Sequence, residues 1–413
     1  MGNFLIKDVV RTVLHVPFHE RCADAMEVYG PGWAIVELIE VETEGGVTGV
    51  GETIQGYTWG HSQEAQFAAA RGKNIFDLLW DDSLGAGLQM ALFDAAGKHL
   101  DVPCHRLMGP QHREACPVSW WAQSMAPEAW AVEARAAEAH GFNTMKVKAR
   151  PWYDIAAQLK AVDQATPEYF KLDADFNTML LGVDQAAPLI SKLERDYDCL
   201  AIVESPIPQD DVEGNKLLRR KIQSPIAMHM GQPPAMTAIR EGVCDGFVIG
   251  GGVQQVLSDG NLAARAQMPF WLQMVGTGLT TTFAAHIGSV LKEARWPAIP
   301  CVNIYSHTLL REFEVKGGHL QVPQTPGLGV ELDREAVERF RVEPDFAKPT
   351  VRQIHEVHWP DGRVLCTADG GYRGDFVAGK ITGFLPGMDL QVRLDDGSEE
   401  FAREYVERFP GRD

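Results

Sequence analysis

Hydrophobic and polar positions change rhythm twice along this chain. Trp33 to Glu42 reads Trp-Ala-Ile-Val-Glu-Leu-Ile-Glu-Val-Glu, a run of strand formers. Glu44-Gly45-Gly46 supplies a turn, and Val47 to Thr53 resumes the strand pattern, which predicts a hairpin. Helical text follows over 62–73 and, with an amphipathic spacing and few breakers, over 86–99. Strands first and helices second is the grammar of an α+β unit. From about Pro127 short apolar runs alternate with Ala- and Glu-rich stretches. Helices are predicted over 128–140, 154–165 and 185–195. Strands are predicted over 144–148, 169–174, 200–203, 226–228, 246–249 and 269–273. Repeated βα units imply a parallel sheet, and their number implies a closed barrel. In the tail, 355–366 and 390–401 read as strands, each broken by an Asp-Gly turn at Asp361-Gly362 and Asp396-Gly397. The expected fold class is therefore α/β. It divides into an α+β domain over 1–125, a (β/α) barrel with a return segment over 126–342, and a small β-rich extension over 343–413.

Bulk properties narrow the function. The formal net charge of −18 repels phosphate backbones and anionic lipid, so neither nucleic acid nor a membrane is an expected partner. Seven cysteines, without a CxxC pair, read as free thiols of a cytoplasmic protein rather than a disulfide framework or zinc site. The N-terminal Met-Gly-Asn-Phe-Leu-Ile-Lys-Asp meets charge at once and does not read as a signal peptide.

In βα barrels the chemistry sits where strands end, so those positions carry the candidates. Lys146 and Lys148 stand two apart at one strand end and share a face. Two close ammonium groups lower each other's pKa, which makes a lysine usable as a base. Asp173, Asp175 and Asn177 end the next strand with hard oxygen ligands at alternate positions, or serve as a turn or helix cap. Glu204 directly follows a buried apolar strand, where a carboxylate is costly unless paired or ligated. His229 and His307 follow in the same series, each able to bind a metal, move a proton or fill a structural hydrogen-bonding role. Singly these are weak. Jointly they place lysines, then Asp, Glu and His, at successive strand ends that a barrel gathers at one mouth.

At this point the sequence resembles the enolase superfamily, in its mandelate racemase/muconate lactonizing branch, over roughly residues 1–340. Ala91 to Lys98 with Val102 to Gly109 looks like that family's last capping-domain helix and the segment after it. Met145-Lys146-Val147-Lys148 looks like its KxK motif, Asp175-Phe176-Asn177 its first metal-ligand motif and Ile202 to Pro206 its second. Val322-Pro323 with Pro326 to Val330 looks like the segment returning to the cap. The resemblance implies an α+β capping domain on a (β/α)7β-type TIM barrel. It also implies an isomerase or lyase that removes the α-proton of a carboxylate substrate through an enediolate, acid-sugar dehydration being one instance. Lys148 would be the base, Lys146 its tuning partner and His307 or His229 the acid. Asp175, Glu204 and His229 would hold Mg²⁺. A homo-oligomer is expected.

The sequence departs from the family pattern in three places. His229 stands where a third carboxylate ligand is usual, which tilts preference toward Mn²⁺ or another divalent metal. Gly250-Gly251-Gly252 stands where a catalytic Asp or Lys is frequent, and Trp271 to Met274 lacks the histidine of the racemase type. These departures leave a second possibility, an enolase-fold ligand-binding protein without the usual catalysis. Tyr57 and Trp59, in a loop expected to close over the barrel, are candidate substrate contacts together with Asn177; for the aromatics, packing between domains is the competing role.

Overall fold

The computed structural model describes residues 2–412 except positions 56, 58, 59 and 61. The expected contact Trp59 therefore lies outside the described residues. The chain opens with β1 (Ile6–His15), β2 (Ile35–Thr43) and β3 (Thr48–Ile54), an antiparallel sheet in that order. The β2–β3 hairpin is the one the sequence pattern predicts. The helix Ala86–His99 presses onto this sheet. A Cβ on Gly49 would fall 2.1 Å from the Ala91 carbonyl oxygen, and one on Gly51 2.2 Å from that of Gly87. Only glycine permits so close a meeting of strand and helix backbones.

A short strand, β4 (Ala115–Pro117), leads into the barrel strands. These are β5 (Trp120–Ala122), β6 (Thr144–Lys148), β7 (Lys171–Asp175), β8 (Leu200–Glu204), β9 (Ile226–His229), β10 (Gly246–Ile249) and β11 (Phe270–Leu272). They form a parallel sheet in sequential order. Ala298 bridges to Val118 and Ile299 to Gln273, so one short segment joins the two edges of the curled sheet. This is the capped-barrel architecture that the patterning and the resemblance both predict. Two details change. The barrel sheet begins at Trp120, ahead of the expected boundary at 126, and the Lys146–Lys148 strand is consequently its second. A three-residue strand is too short to show a period of its own.

Two carboxylates of the first domain seat it on the barrel. Glu52, fully buried, accepts from the backbone N–H of Thr277 (2.7 Å) and Thr280 (2.8 Å) at the start of helix Gly278–Val290. Asp82 accepts from the N–H of Gln254 and Gln255 in the first turn of helix Val253–Arg265. Both satisfy donors that a helix start leaves orphaned.

After the return strands β12 (Val315–Lys316) and β13 (His319–Gln321), which pair with each other, β13 also pairing with β4, comes the extension. Its strands are β14 (Gln353–His358), β15 (Val364–Thr367) and β16 (Asp389–Leu394), in the order β15-β14-β16. Asp361-Gly362 turns the first hairpin as predicted. Asp396-Gly397 does not turn a second one; it leads into helix Glu399–Arg408. The Ser398 side chain accepts from Phe401 N, and Glu399 and Glu400 fill the first turn, so local capping overrides the strand reading. All seven cysteines are free. No described helix is long and apolar enough to cross a membrane.

Candidate active site at the barrel mouth

Strand register gathers the site. Lys148 pairs with Asp175, Asp175 with Glu204, and one layer deeper Lys146 pairs with Asp173. Residues paired across parallel strands point to the same side of the sheet. Lys146, Asp175 and Glu204 are all buried to within 1% of completely. The Lys146 ammonium lies against the Glu204 carboxylate, 3.5 Å from Asp175 Oδ2, and donates to Gln273 Oε1 at 3.0 Å. Its Nζ also sits 5.6 Å from the ring centre of Trp271. Lys148 Nζ is 2.5 Å from Asp175 Oδ2 and 3.1 Å from Asn177 Oδ1.

The two lysines are electrostatically unlike. Burial works against the charge on Lys146, but Glu204 and Asp175 outweigh it and raise its pKa. For Lys148 burial prevails, assisted by the neighbouring Lys146, and the pKa falls despite Asp175. The expectation that each lysine depresses the other holds only for Lys148. Asp175 is driven well below the usual carboxylate range: burial opposes this, but Lys148, Lys146 and Arg150 prevail. Asp173 goes the other way. Burial, then the charge of Glu204, push its carboxyl far up, and neither of its oxygens has a hydrogen-bond partner.

The remaining expected residues divide. His229 joins the cluster, with Nε2 3.3 Å from Glu204 Oε1. Tyr57 joins it through an amide: its hydroxyl accepts from Gln273 Nε2 at 2.9 Å. Asn177 is present, but its Oδ1 is taken by Lys148 and Arg150 rather than offered outward. His307 is not brought to the cluster. It lies with His19, Arg21, Trp120 and Tyr305 around a separate cavity of about 660 Å³, its Nε2 3.4 Å from Asp333 and its Nδ1 accepting from Leu309 N.

Several residues escaped the sequence reading. Arg150 is 5% exposed and donates to the Asp175 carbonyl oxygen at 3.0 Å as well as to Asn177. It extends the Lys146, Lys148 alternation by one more step, and that was the signal available. Gln273, Trp33 and Trp121 carried no such signal; the two tryptophans join the expected Tyr57 in an aromatic group with ring centres 4.5 and 5.8 Å apart. Trp121 pairs with Lys146, so it shares the inward side.

The donor chemistry bears on a metal. Asp175 and Glu204 are adjacent buried carboxylates, and neither Glu204 oxygen receives a well-aligned hydrogen bond. Such oxygens suit a hard divalent cation. Among the described residues no three Asp, Glu, His or Cys side chains form a ready cation cage, and the Lys146 ammonium balances the carboxylates instead. The two carboxylates thus fit a cation, with His229 beside Glu204 as the adjacent nitrogen donor.

Comparison with known proteins identifies the fold and family. The family model described as "Enolase C-terminal domain-like" matches residues 129–336. Muconate cycloisomerase 1 from Pseudomonas putida is 23% identical, over 82% of this chain and 99% of that protein. Other relatives, 25–29% identical, are named D-xylonate dehydratase and N-succinylamino acid racemase. A mandelate racemase/muconate lactonizing family protein from Azoarcus sp. EbN1 superposes with a TM-score of 0.67 at 23% identity, covering 83% of this chain and 99% of that one. An enolase from Thermobispora bispora DSM 43833, solved with magnesium and formate, gives a TM-score of 0.66 at 20% identity, covering 82% and 92%. Barrel, strand-end cluster and family match together assign the chain to the enolase superfamily, in its mandelate racemase/muconate lactonizing group, as an enzyme of that type.

Proposed function

We propose that this protein is a metal-dependent lyase or isomerase in which Lys148 removes the α-proton of a carboxylate substrate. The observation that carries the reading is the contrast between the two lysines. Lys148, its proton affinity reduced by burial, faces a site in which Lys146 stays charged. A base with reduced pKa and a fixed cation beside it are what enediolate formation needs. Asp175 and Glu204, with His229, would hold Mg²⁺ or Mn²⁺. A cation bound there supplies Lewis-acid stabilisation of the developing negative charge. Lys146 adds a second positive charge from the protein itself. Asp175 keeps Lys148 oriented through their 2.5 Å contact.

The polar amides near the lysines are engaged internally, Gln273 by Lys146 and Tyr57, and Asn177 by Lys148 and Arg150. Trp33, Tyr57 and Trp121 supply ring surface. That lining favours a carboxylate with an apolar body over a polyhydroxylated acid.

Thermal unfolding of the wild type and Glu204→Gln, in EDTA and in graded Mg²⁺ or Mn²⁺, tests the metal. Saturation at a hundredfold over Kd stabilises by about 2.7 kcal/mol, and the variant should lose that rise. α-Proton exchange in D2O, with 2-phenylpropanoate and D-gluconate as probes, tests the chemistry. Exchange with neither, in the metal-loaded enzyme, overturns the assigned reaction; exchange with gluconate alone overturns only the apolar preference.

A further inference from the structure

The extension over 343–413 follows the family match, which ends at 336, yet it is built into the loop that leaves the lysine strand. That loop runs through Arg150, Pro151, Trp152, Tyr153 and Asp154. Trp152 and Tyr153 are buried in one cluster with Val357, Trp359, Tyr372, Met388 and Leu390 of the extension. Hydrogen bonds staple the same contact. Phe384 N donates to the Pro151 carbonyl at 2.7 Å, Asp154 N to that of Met388 at 3.1 Å, and the Tyr153 hydroxyl to that of Leu390 at 3.1 Å. The Phe384 ring lies 5.8 Å from that of Phe176, the residue after Asp175.

The extension also grips the first domain. Lys348 pairs with Glu27 and lies 5.0 Å from the ring centre of Phe18. Gln353 Nε2 reaches the Glu27 carbonyl at 3.4 Å, and the Tyr29 hydroxyl is buried beside Tyr372 and Trp152. Helix Ala23–Tyr29 of the first domain is thereby tied to the lysine loop through the extension.

We propose that the extension is a brace for the active site and that Arg150 is the positioning residue it holds. The guanidinium fixes Asn177 by donating to Oδ1 and fixes the strand end by donating to the Asp175 carbonyl. Asn177 Oδ1 in turn receives Lys148 Nζ. Arg150 therefore acts on Lys148 through Asn177. A loop that lost its cover would surrender the buried position of Arg150, because an uncovered loop samples open states at little cost. The part played by Arg150 rests on the reaction assigned to Lys148; the brace itself does not.

The test uses the full chain. Hydrogen exchange read by mass spectrometry is compared between wild type, Phe384→Ala and the milder Phe384→Leu. Exchange over 149–154 and 23–29 should rise about tenfold or more in Phe384→Ala and less in Phe384→Leu, while β8, β9 and β10 keep their rates. Unchanged exchange in both segments overturns the brace, and so does free exchange there in the wild type. For Arg150, α-proton exchange should show kcat lowered about 10²-fold in Arg150→Met with KM little changed, and partly restored in Arg150→Lys. A rise in KM at unchanged kcat would make Arg150 a substrate-binding group and overturn its positioning role. A wild type that exchanges no carboxylate would defeat the assigned reaction and the role of Arg150 with it, while the hydrogen-exchange comparison still decides the brace.

Discussion

Asp175→Asn is the sharpest perturbation of the charge cluster, because it keeps the shape of the side chain and deletes only its charge. Asp175 is fully buried, 2.5 Å from Lys148 Nζ and 3.5 Å from Lys146 Nζ, with Arg150 on its carbonyl. At an effective dielectric near 20, contacts of these lengths are each worth about 5–7 kcal/mol before desolvation is charged against them. Removing one partner of a buried pair costs about 3–5 kcal/mol net, since the remaining charges stay buried. A urea titration in EDTA at pH 7 should show that loss. The pH dependence has a definite sign. The folded pKa of Asp175 is depressed, so its stabilisation is complete above the unfolded value of about 3.9 and is lost as pH falls through the folded value. The gap between wild type and variant should therefore be constant from pH 7 to about 5 and narrow below about 4. A loss under about 1 kcal/mol at pH 7, or a gap that does not narrow in acid, would refute the buried-cluster account.

Other consequences concern the base, the domain contact and the extension. Lys148→Ala should lower α-proton exchange by about 10²–10⁴-fold while equilibrium dialysis shows the substrate carboxylate still bound; an equal fall in binding would assign Lys148 to substrate recognition. His286 is fully buried between the body of helix Gly278–Val290 and the return segment, its Nε2–H donating to Leu328 O while Nδ1 accepts from His105 N, and burial pulls its pKa to about 4. Between the unfolded value near 6.5 and the folded value the unfolded chain binds the extra proton, so stability should fall by about 3 kcal/mol as pH drops from 6.5 to 4. His286→Gln should flatten that slope in urea titrations at stepped pH. A Cβ on Gly383 would come within 2.4 Å of Pro151 Cβ, so Gly383→Val should cost about 1–3 kcal/mol in the same assay and loosen the 149–154 loop.

Sequence alone determined the elements and the identity of the chemical groups. The βα alternation after Pro127 is legible because each element carries its own period, and a barrel is the economical way to close that many parallel strands. Lys146, Lys148, Asp175, Glu204 and His229 could be singled out because they terminate apolar strands, where a polar side chain needs a reason. Tertiary structure decided what those groups do. Whether Lys146 or Lys148 loses proton affinity depends on the carboxylates that adjacent strands deliver, since Coulomb terms fall with distances that sequence does not state. His307 looked equivalent to His229 by its place in the text, yet only His229 reaches Glu204. Arg150 reaches Asn177 from a loop whose neighbours Pro151 and Trp152 contact Phe384 and Tyr372, positions more than two hundred residues away. Local pattern fixes local geometry, while contacts remote in sequence set burial, and burial sets the charge state on which the chemistry turns.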